Sequence, residues 1–464
     1  MSKSYRIERD SLGEVNVPSD ALYGAQTQRA FENFRISGQC FSRSFIQAMG
    51  MIKKSAALTN LELGNLSPDI AEAIAAAAEE VISGKWDEEF VVDIYQTGSG
   101  TSTNMNANEV IANRANQILD NHEDQIHPND HVNFGQSSND VIPSAIHISA
   151  RMSIERELIP ALTNLRDSLA AKAESFDHIL KSGRTHLMDA TPIRLGQEFS
   201  GYAHQITKGI DRIRTSSTEL TELALGGTAV GTGINTHHDF GSKTIARISE
   251  YLELDFCEAE NHFEAQASKD AVVNVAGTLN AIAVSFFKIA NDLRWLSSGP
   301  TSGISEISMP AIQPGSSIMP GKVNPVMCEA MMMVAARVMG NHTTITTAGQ
   351  LGNFELNVMM PVMAHSLLES VTIMANMATS FAEKCVDGIE ANEERASQIL
   401  DNNPSIATVL NPHIGYDKAA EVVKIAIREN LSIREVLEKH ELIPPDKLEE
   451  VLDVRKMTEP GILE

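Results

Sequence analysis

Cysteine is scarce in this sequence, with four residues among 464, namely Cys40, Cys257, Cys328 and Cys385. They lie far apart and form no CxxC pair, which excludes a disulfide scaffold and indicates reduced, mostly buried thiols. The first residues, MSKSYRIERDSLGEV, lack the apolar segment of a signal peptide, and no run looks long and apolar enough to span a bilayer. The sequence therefore predicts a cytoplasmic protein without a membrane partner.

Basic residues are also few. Lysine and arginine number 37 against 61 acidic residues, which gives a formal net charge of -24 at pH 7. A surface this anionic repels nucleic acid and acidic membranes, so neither is an expected partner. If the substrate is itself an anion, positive potential must be concentrated locally in its binding site.

Strand signals are sparse, and helical patterns dominate. Residues 68–84 begin with a proline and end with a glycine, which predicts a helix, and 266–297 are apolar on more than one face, as in the inside of a bundle. Further patterns longer than the usual helix of about 11–12 residues predict a central bundle; they cover 142–175, 193–224, 325–347 and 359–393. We therefore predict an all-α protein with an N-terminal helical domain (1–139), a central long-helix bundle (140–393) and a small C-terminal helical domain (394–464).

Four polar loops stand out, at 97–110, 127–143, 182–199 and 314–325, and each is expected to lead into a helix. In the third, Thr191 and Pro192 fit the N-cap and first helical position, as Asn324 and Pro325 do in the fourth. Helix N-termini bind anions, although capping alone accounts for any single loop. Four loops so rich in Ser, Thr and Asn favour a shared pocket for a small polyanion.

Other motifs are excluded by their neighbours. The GK pair at 321–322 is followed by valine instead of the Ser/Thr of a P-loop, and GGTAVGTG (226–233) is better interpreted as a turn. Ser316 and Ser317 do not lie in a GxSxG elbow. The spacing of His127 and His131 suits zinc on a helix, but the proline between them predicts a loop and no third ligand is evident. We predict no metal and no cofactor, and we expect His237 and His238 to be exposed.

The stretch GSSIMPGKVNP (315–325) resembles the signature of the aspartase/fumarase superfamily, and the similarity extends through nearly the whole chain. QTGSGTSTNMNANEV, HPNDHVNFGQSSND, GRTHLMD, KVNPVMCEA and GNFELNVMMPV resemble class II fumarate hydratases in particular. Aspartate ammonia-lyases tend instead to show GAGTS and QSTND. The chain departs from the pattern at Met188, where relatives usually carry Gln, and at Asp124, where some carry a basic residue.

The resemblance implies reversible hydration of fumarate to L-malate in a homotetramer with a twenty-helix core, whose active sites are shared between subunits. Ser316 would be the base, His186 would handle the hydroxyl proton with Glu329 holding it, and Lys322 would supply the cation. The residues implied to bind substrate, besides Lys322, are Ser99, Thr101, Ser137, Ser138, Asn139, Thr185, Ser317 and Asn324, and those implied to form an accessory anion site are His127, Asn129 and Asp130. Two alternatives stay open, an aspartate ammonia-lyase and a non-catalytic structural protein with the lyase fold.

Overall fold

Helices dominate the computed structural model of the protein, which describes residues 4–119 and 125–461. The strands in these residues are short and form only two-stranded sheets. The all-α prediction is therefore confirmed. The four cysteines are free thiols, but only Cys328 and Cys385 are buried, so the expectation of mostly buried thiols is wrong for Cys40 and Cys257.

The helices and strands have the following bounds. The helices are α1 Ala25–Asn33, α2 Arg43–Glu62, α3 Pro68–Ile82, α4 Thr101–Leu119, α5 Ser138–Ser153, α6 Ile159–Ser175, α7 Leu195–Ser217, α8 Phe240–Leu252, α9 His262–Ala267, α10 Asp270–Leu296, α11 Val326–Gly349, α12 Met360–Lys384, α13 Glu393–Asp401, α14 Asn411–Ile414, α15 Tyr416–Glu429, α16 Ile433–Lys439 and α17 Pro445–Val451. The strands are β1 Tyr5–Asp10, β2 Gly13–Pro18, β3 Leu180–Thr185, β4 Met188–Arg194, β5 Glu222–Leu223, β6 Cys257–Glu258, β7 Ile307–Ser308, β8 Gly352–Asn353, β9 Leu356–Asn357 and β10 Glu390–Ala391.

Two long patterns end earlier than predicted. The 193–224 pattern ends as a helix at Ser217, where hydroxyl side chains of residues 216–221 bond backbone carbonyls three residues back and a 3₁₀ turn follows. Such local bonds compete with the helical ladder. The 359–393 pattern ends at Lys384 because the chain then pairs as β10 with β7.

The predicted helix at 142–175 is helical throughout but contains a π-turn, Ile154–Leu158. Pro160 explains its position, because proline lacks an N–H and its ring clashes with the carbonyl four residues earlier. One turn between α5 and α6 therefore contains an additional residue, instead of continuing with regular α-helical spacing. The helices at 68–84 and 266–297 are confirmed as α3 and α10.

The chain divides into two compact units. The first unit comprises Met1–Pro160, Gly209–Ala283 and Val334–Ala375, and the second comprises Ala161–Lys208, Val284–Met333 and Asn376–Glu464. Each boundary between them falls inside one of the long helices α6, α7, α10, α11 and α12. The three-domain division predicted from the sequence stays a prediction.

In the first unit, α2 packs against α3, α5 and α8. The α2–α3 approach is close because α3 presents small buried alanines and α2 has Gly50 at the contact. A Cβ at Gly50 would lie 2.9 Å from Ile82 Cγ1 and 3.2 Å from the Ala78 carbonyl oxygen. This tight pair fixes α2 beside the segments that enter α4 and α5.

In the second unit, the C-terminal helices share a core that includes Leu410, Val422, Val436 and Leu437. The β3–β4 hairpin contacts α13 and the 3₁₀ turn Pro404–Leu410. The hairpin is therefore anchored at its base by the C-terminal helices.

Helix α10 (Asp270–Leu296) is long and apolar enough to cross a membrane, judged by length and composition alone. The sequence-based statement that no stretch meets this measure is thus wrong. Core helices pass the same test, and 44% of the most apolar stretch of α10 is buried within the chain. One face packs inside, whereas Val284, Phe287 and Trp295 are exposed.

Candidate active site

Three of the residues predicted to bind substrate form one hydrogen-bonded row where α4 and α5 begin. The Thr101 hydroxyl lies 2.7 Å from Ser99 Oγ and 2.7 Å from Ser138 Oγ. Residue 98, in the preceding loop, must be glycine, since a Cβ there would lie 1.8 Å from the Val358 carbonyl oxygen. The row therefore places three hydroxyls at adjoining helix N-termini, which favour anions.

Ser137 is the N-cap of α5, and its hydroxyl accepts the Asn139 N–H at 3.2 Å. Asp140 completes a capping box by accepting the Ser137 N–H at 2.9 Å. Asp140 was not among the residues predicted for the site, although the Ser-x-x-Asp spacing is the signal that identifies such a box. Its carboxylate lies in the first turn of the helix whose N-terminus carries the predicted binding residues.

The same carboxylate holds the GGTAVGTG segment, which is a turn as predicted. Asp140 Oδ2 accepts N–H groups from Gly226 at 3.2 Å and Thr228 at 2.9 Å, and the Asn139 amide donates to the Ala229 carbonyl at 2.8 Å. Burial raises the pKa of Asp140 to about 6, and these N–H donors oppose that rise. Ser137, Ser138 and Asn139 are thereby fixed against a turn from elsewhere in the first unit.

The residues predicted to form an accessory anion site lie on an exposed π-turn, Pro128–Val132. His127 caps it, because its Nδ1 accepts N–H groups from Asn129 at 3.3 Å and Asp130 at 3.2 Å. The interpretation of this segment as a plain loop is therefore corrected to a π-turn. Asp124 lies outside the described residues.

Potential metal ligands group elsewhere in the described part of the chain. There, only His237, His238 and Asp239 form a set of three whose ligand atoms all lie within 4.8 Å of one another. His238 is exposed, as expected, and His237 is partly exposed. His237 Nδ1 already accepts the Asp239 N–H at 3.1 Å.

The 182–199 loop is not the helix N-terminus that the sequence predicted. Thr191 and Pro192 lie in β4, and α7 begins only at Leu195. The pairing of β3 with β4 prevails over the capping pattern, since Leu180 pairs with Arg194 and Thr185 with Met188. This loop is thus a hairpin that carries Thr185 and His186.

His186 and Leu187 form the two-residue turn of that hairpin, with φ of 57° and 61°. Two-residue turns with positive φ at both positions match the twist of the strands and normally use Asn-Gly. Here both residues are non-glycine, and both are exposed. A left-handed Leu is uncommon and unfavourable, and such local strain concentrates at functional sites.

The base of the hairpin is held by a buried ionic cluster. Glu306 is fully buried and accepts two hydrogen bonds from Arg184, at 2.9 and 2.7 Å. Lys181, also buried, lies 3.2 Å from Glu306 and 3.1 Å from Glu198. Two cations on β3 therefore fasten the strand that ends in Thr185 and His186.

The 314–325 loop is closed by its own backbone. The Gly315 N–H donates to the Lys322 carbonyl at 2.8 Å, and a Cβ on Gly315 would lie 2.5 Å from that oxygen. Ser316 Oγ accepts N–H groups from Ile318 at 3.2 Å and Met319 at 3.0 Å. Donors aimed at an oxygen stabilise its anionic form, so this geometry makes an alkoxide on Ser316 less costly.

Asn324 closes the loop rather than capping the helix. Its amide donates to the Gly315 carbonyl at 2.6 Å, and the N–H groups of Cys328 and Glu329 bond to the Pro325 carbonyl. Helix α11 therefore begins at Val326, one residue later than the predicted cap and first position imply. Ser317 and Lys322 are exposed on the loop, and Glu329 is exposed in the first turn of α11.

The predicted site residues thus fall into two sets, each described within its own unit. Ser99, Thr101 and Ser138 are in direct contact in the first unit, next to Ser137 and Asn139 on α5. Ser316, Ser317, Lys322 and Asn324 share the loop in the second unit, and Thr185 and His186 share the hairpin. Among the described residues, no hydrogen bond or ion pair joins His186 to Glu329.

Comparison with known proteins gives a consistent result across the chain. A family model described as lyase matches residues 13–340, and one described as fumarase C C-terminus matches residues 406–459. The chain is 52% identical to the class II fumarate hydratase of Halobacterium salinarum, covering 100% of this chain and 99% of that protein. It is 51% identical to the one from Corynebacterium glutamicum, over 98% of this chain and 95% of that protein.

Among solved structures, the class II fumarase from Schistosoma mansoni superposes with a TM-score of 0.95 at 39% sequence identity, covering 98% of this chain and 99% of that one. The chain belongs to the class II fumarate hydratase family of lyases.

Proposed function

We propose that the protein catalyses the reversible hydration of fumarate to L-malate. The observation that carries the proposal is the closed 314–325 loop, in which Ser316 Oγ accepts two backbone N–H groups beside Lys322 and Asn324. A hydroxyl that accepts two N–H groups loses its own proton more readily. The resulting alkoxide is a strong enough base to remove a proton that ordinary side-chain bases are too weak to remove. The reaction in the malate direction needs such a base, because the proton leaves a carbon next to a carboxylate.

Removal of that proton places a second negative charge on the adjacent carboxylate. Stabilising this doubly charged aci-carboxylate requires donors and cations aimed at where charge develops. Lys322 supplies a cation, and Asn324 and Ser317 supply donors, all from the loop that carries the base. The step therefore couples proton transfer to Ser316 with charge stabilisation by its neighbours.

The hydroxyl of L-malate leaves as water and must receive a proton. His186 is proposed to move this proton, since an imidazole can act as acid and base near neutral pH. Its position at the tip of the hairpin leaves the ring exposed. Glu329, also exposed, is proposed to orient the ring when the site is complete.

The substrate carboxylates are proposed to bind at the row of hydroxyls on α4 and α5. Ser99, Thr101 and Ser138 are already positioned by mutual hydrogen bonds, so little ordering is required on binding. Ser137, Asn139 and Thr185 complete the proposed set of donors. His127, Asn129 and Asp130 are proposed as an accessory anion site.

We further propose a homotetramer whose sites take residues from more than one copy of the chain. Val284, Phe287 and Trp295 on α10 and Met333 on α11 are large apolar side chains left exposed on long helices. Large apolar side chains exposed on long helices favour a protein interface. The proposal includes the domains 1–139, 140–393 and 394–464 and a cytoplasmic location without nucleic-acid or membrane partners.

The test is direct, since the conjugated double bond of fumarate absorbs in the near ultraviolet. Purified protein should consume fumarate without added ammonia, and EDTA should leave the rate unchanged, because the proposed acid and base are side chains. Turnover of L-aspartate with ammonia release, and none of L-malate, would assign the chain to the ammonia-lyases instead. Light scattering should give a mass of four chains.

A further inference from the structure

We propose that Lys53, on α2, is a positioning residue for substrate binding: it fastens the segment that leads into Ser137–Asn139 and offsets the buried charge of Asp140. The inference rests on the proposed function, because it concerns binding of a dicarboxylate at the N-terminus of α5. Lys53 does not touch the proposed substrate-binding hydroxyls itself. It acts through the residues that hold them.

The Lys53 side chain is fully buried, and no carboxylate of residues 4–119 or 125–461 forms a salt bridge with it, which is a rare situation for a lysine. Its Nζ donates to Asn133 Oδ1 at 3.0 Å and to Gln136 Oε1 at 2.9 Å. Both acceptors are neutral amides, and burial lowers the pKa of Lys53 to about 7. A cation kept in so unfavourable a place indicates that the segment 133–136 depends on it.

Through these amides, Lys53 connects both substrate-binding segments. Asn133 Oδ1 also accepts a hydrogen bond from Asn104 on α4 at 3.2 Å, and Asn133 Nδ2 donates to the Gln136 carbonyl at 3.1 Å. The next residue is Ser137, the cap of α5. One ammonium therefore joins α2 and α4 to the turn that enters α5.

The second part of the argument is charge. Asp140 is fully buried in the first turn of α5, where a substrate carboxylate is proposed to bind. An uncompensated carboxylate there would repel an anion at the end of the helix that otherwise attracts it. Burial raises the pKa of Asp140, and the charge of Lys53 is one of the influences that oppose this rise, so a protonated Lys53 offsets that carboxylate in part. The positive end of α5 is thereby left available to the substrate.

The neighbouring lysine provides a matched control. Lys54 follows in the same helix but reaches the surface, where it pairs with Glu79 at 2.7 Å and remains partly exposed. Lys53→Met should raise KM, and the Kd for succinate measured by calorimetry, by about tenfold or more, while kcat falls much less. Lys54→Met should change all three values less than twofold. Succinate, a saturated dicarboxylate, reports binding without turnover.

A charge-balanced variant separates this role from a merely structural one. Lys53→Met combined with Asp140→Asn buries no unpaired charge, so its loss of succinate affinity should be clearly smaller than the sum of the losses in the two single variants. Asp140→Asn alone removes one of two carboxylate oxygens that accept N–H groups at the start of α5 and from the 226–228 turn, so it should itself weaken succinate binding. If Lys53→Met fails to assemble, Gln136→Met, which removes one of the two acceptors of Lys53 Nζ, should still raise the succinate Kd severalfold.

Two results would overturn the proposal: unchanged KM and Kd in a folded Lys53→Met protein (or in Gln136→Met, where Lys53→Met does not assemble), or losses of succinate affinity that simply add in the double variant. Failure of the proposed function is distinguishable, since wild type and Lys54→Met would then turn over neither fumarate nor L-malate, whatever their affinity for succinate.

Discussion

The proposed site has a binding half, at the starts of α4 and α5, and a reactive half, on the 314–325 loop and the β3–β4 hairpin. The side chains of the binding half are held by bonds within one chain, whereas those of the reactive half are mostly exposed. At the start of α4 and α5, the Thr101 hydroxyl is bonded on both sides and the Asp140 carboxylate is buried among backbone donors. On the 314–325 loop and the β3–β4 hairpin, His186, Ser317 and Lys322 are exposed. Within the described residues their side chains make no hydrogen bond or ion pair.

This difference has a chemical reason. Carboxylate binding gains from donors that are ordered before the substrate arrives, so internal hydrogen bonds are useful there. Proton transfer needs a base and an acid with free access to the reacting carbon and oxygen. Groups left exposed in one chain are suited to completing a pocket that another copy supplies.

The largest effect should come from the reactive half. Ser316→Ala should lower kcat by about 10²–10⁴-fold, the usual cost of removing a positioned general base, while succinate still binds with a Kd within a few-fold of wild type. Steady-state kinetics and calorimetry measure the two quantities separately. Lys322→Met should instead damage both, because a cation attracts the ground state and the transition state alike.

The neighbouring serine is the control for this prediction. Ser317→Ala removes a hydroxyl of the same loop that is proposed only as a donor, so its loss in kcat should be much smaller than that of Ser316→Ala. Near-normal turnover by Ser316→Ala would show that Ser316 is only a loop donor and would remove the distinction between the two halves.

Complementation tests whether the reactive half is shared between copies. His186→Asn and Ser316→Ala should each be nearly inactive alone. In mixed tetramers from equal co-expression, a pocket that draws its histidine and serine from different chains receives both intact in about one quarter of cases. Activity should therefore return to about a quarter of wild type, measured on tetramers verified by mass to contain both chains.

The contrary result is equally clear. Verified hybrids that remain as inactive as their parents would mean that His186 and Ser316 of one chain serve the same pocket. The exposure of the reactive groups would then need another explanation than completion by a second copy.

Sequence patterns predicted most of the helices but missed the hairpin, and the reason is local. The helix at 68–84 has a proline at its start and a glycine beyond its end, and the structure has Pro68–Ile82. The hairpin turn is His186-Leu187, which carries none of the Asn-Gly chemistry that normally reveals such turns. Thr191 and Pro192 therefore resembled a helix start, while strand pairing and contacts with the C-terminal helices decided the outcome.

The site was predicted only in part for a related reason. The binding and reactive loops were found through their polar composition and family resemblance, whereas Lys53 was missed. In the segment MIKKSAAL, two adjacent lysines suggest a solvated helix face. Helical spacing contains the missed signal, since Lys53 lies four residues after buried Met49 and three before buried Ala56.

A smaller effect should distinguish His147, in the first unit, from the exposed histidine of the hairpin: the dependence of the free energy of unfolding on pH. Burial lowers the pKa of His147 from 6.5 to about 4, and the charge of Lys269 adds to this shift. The unfolded state then binds more protons at His147 between these values, so the contribution of His147 to the free energy of unfolding falls as pH drops from about 6.5 to about 4, by at most about 3 kcal/mol. Asp140, whose pKa is raised to about 6, contributes in the opposite sense. Urea unfolding of wild type and of His147→Gln across this range isolates the His147 contribution as the difference between the two pH profiles.

His147→Gln keeps a donor for the Glu222 carbonyl, which His147 Nδ1 contacts at 2.8 Å, and should remove the loss of stability that His147 causes over that range. His186→Asn changes an exposed histidine and serves as the control, with the wild-type slope. A slope that survives in His147→Gln but disappears in His186→Asn would reverse the comparison.

The smallest effect concerns strain at the hairpin tip. Leu187→Gly should stabilise the hairpin by up to about 1 kcal/mol, because glycine adopts positive φ without the steric cost that leucine meets, while its greater freedom in the unfolded chain offsets part of the gain. Amide hydrogen exchange along Leu180–Arg194 reports the local opening free energy. Since the turn type is unchanged, kcat should stay within about threefold of wild type.

Met188→Gly is the matched control for this last prediction. Met188 is exposed like its neighbour but begins β4, where the backbone is extended and glycine only adds freedom to the unfolded chain. It should destabilise the hairpin by about 0.5–1 kcal/mol, opposite in sign to Leu187→Gly. If both glycine variants speed exchange equally, the positive φ of Leu187 costs nothing, and the hairpin is no more strained than the well-bonded starts of α4 and α5. Opposite signs would locate the strain in the turn that presents His186.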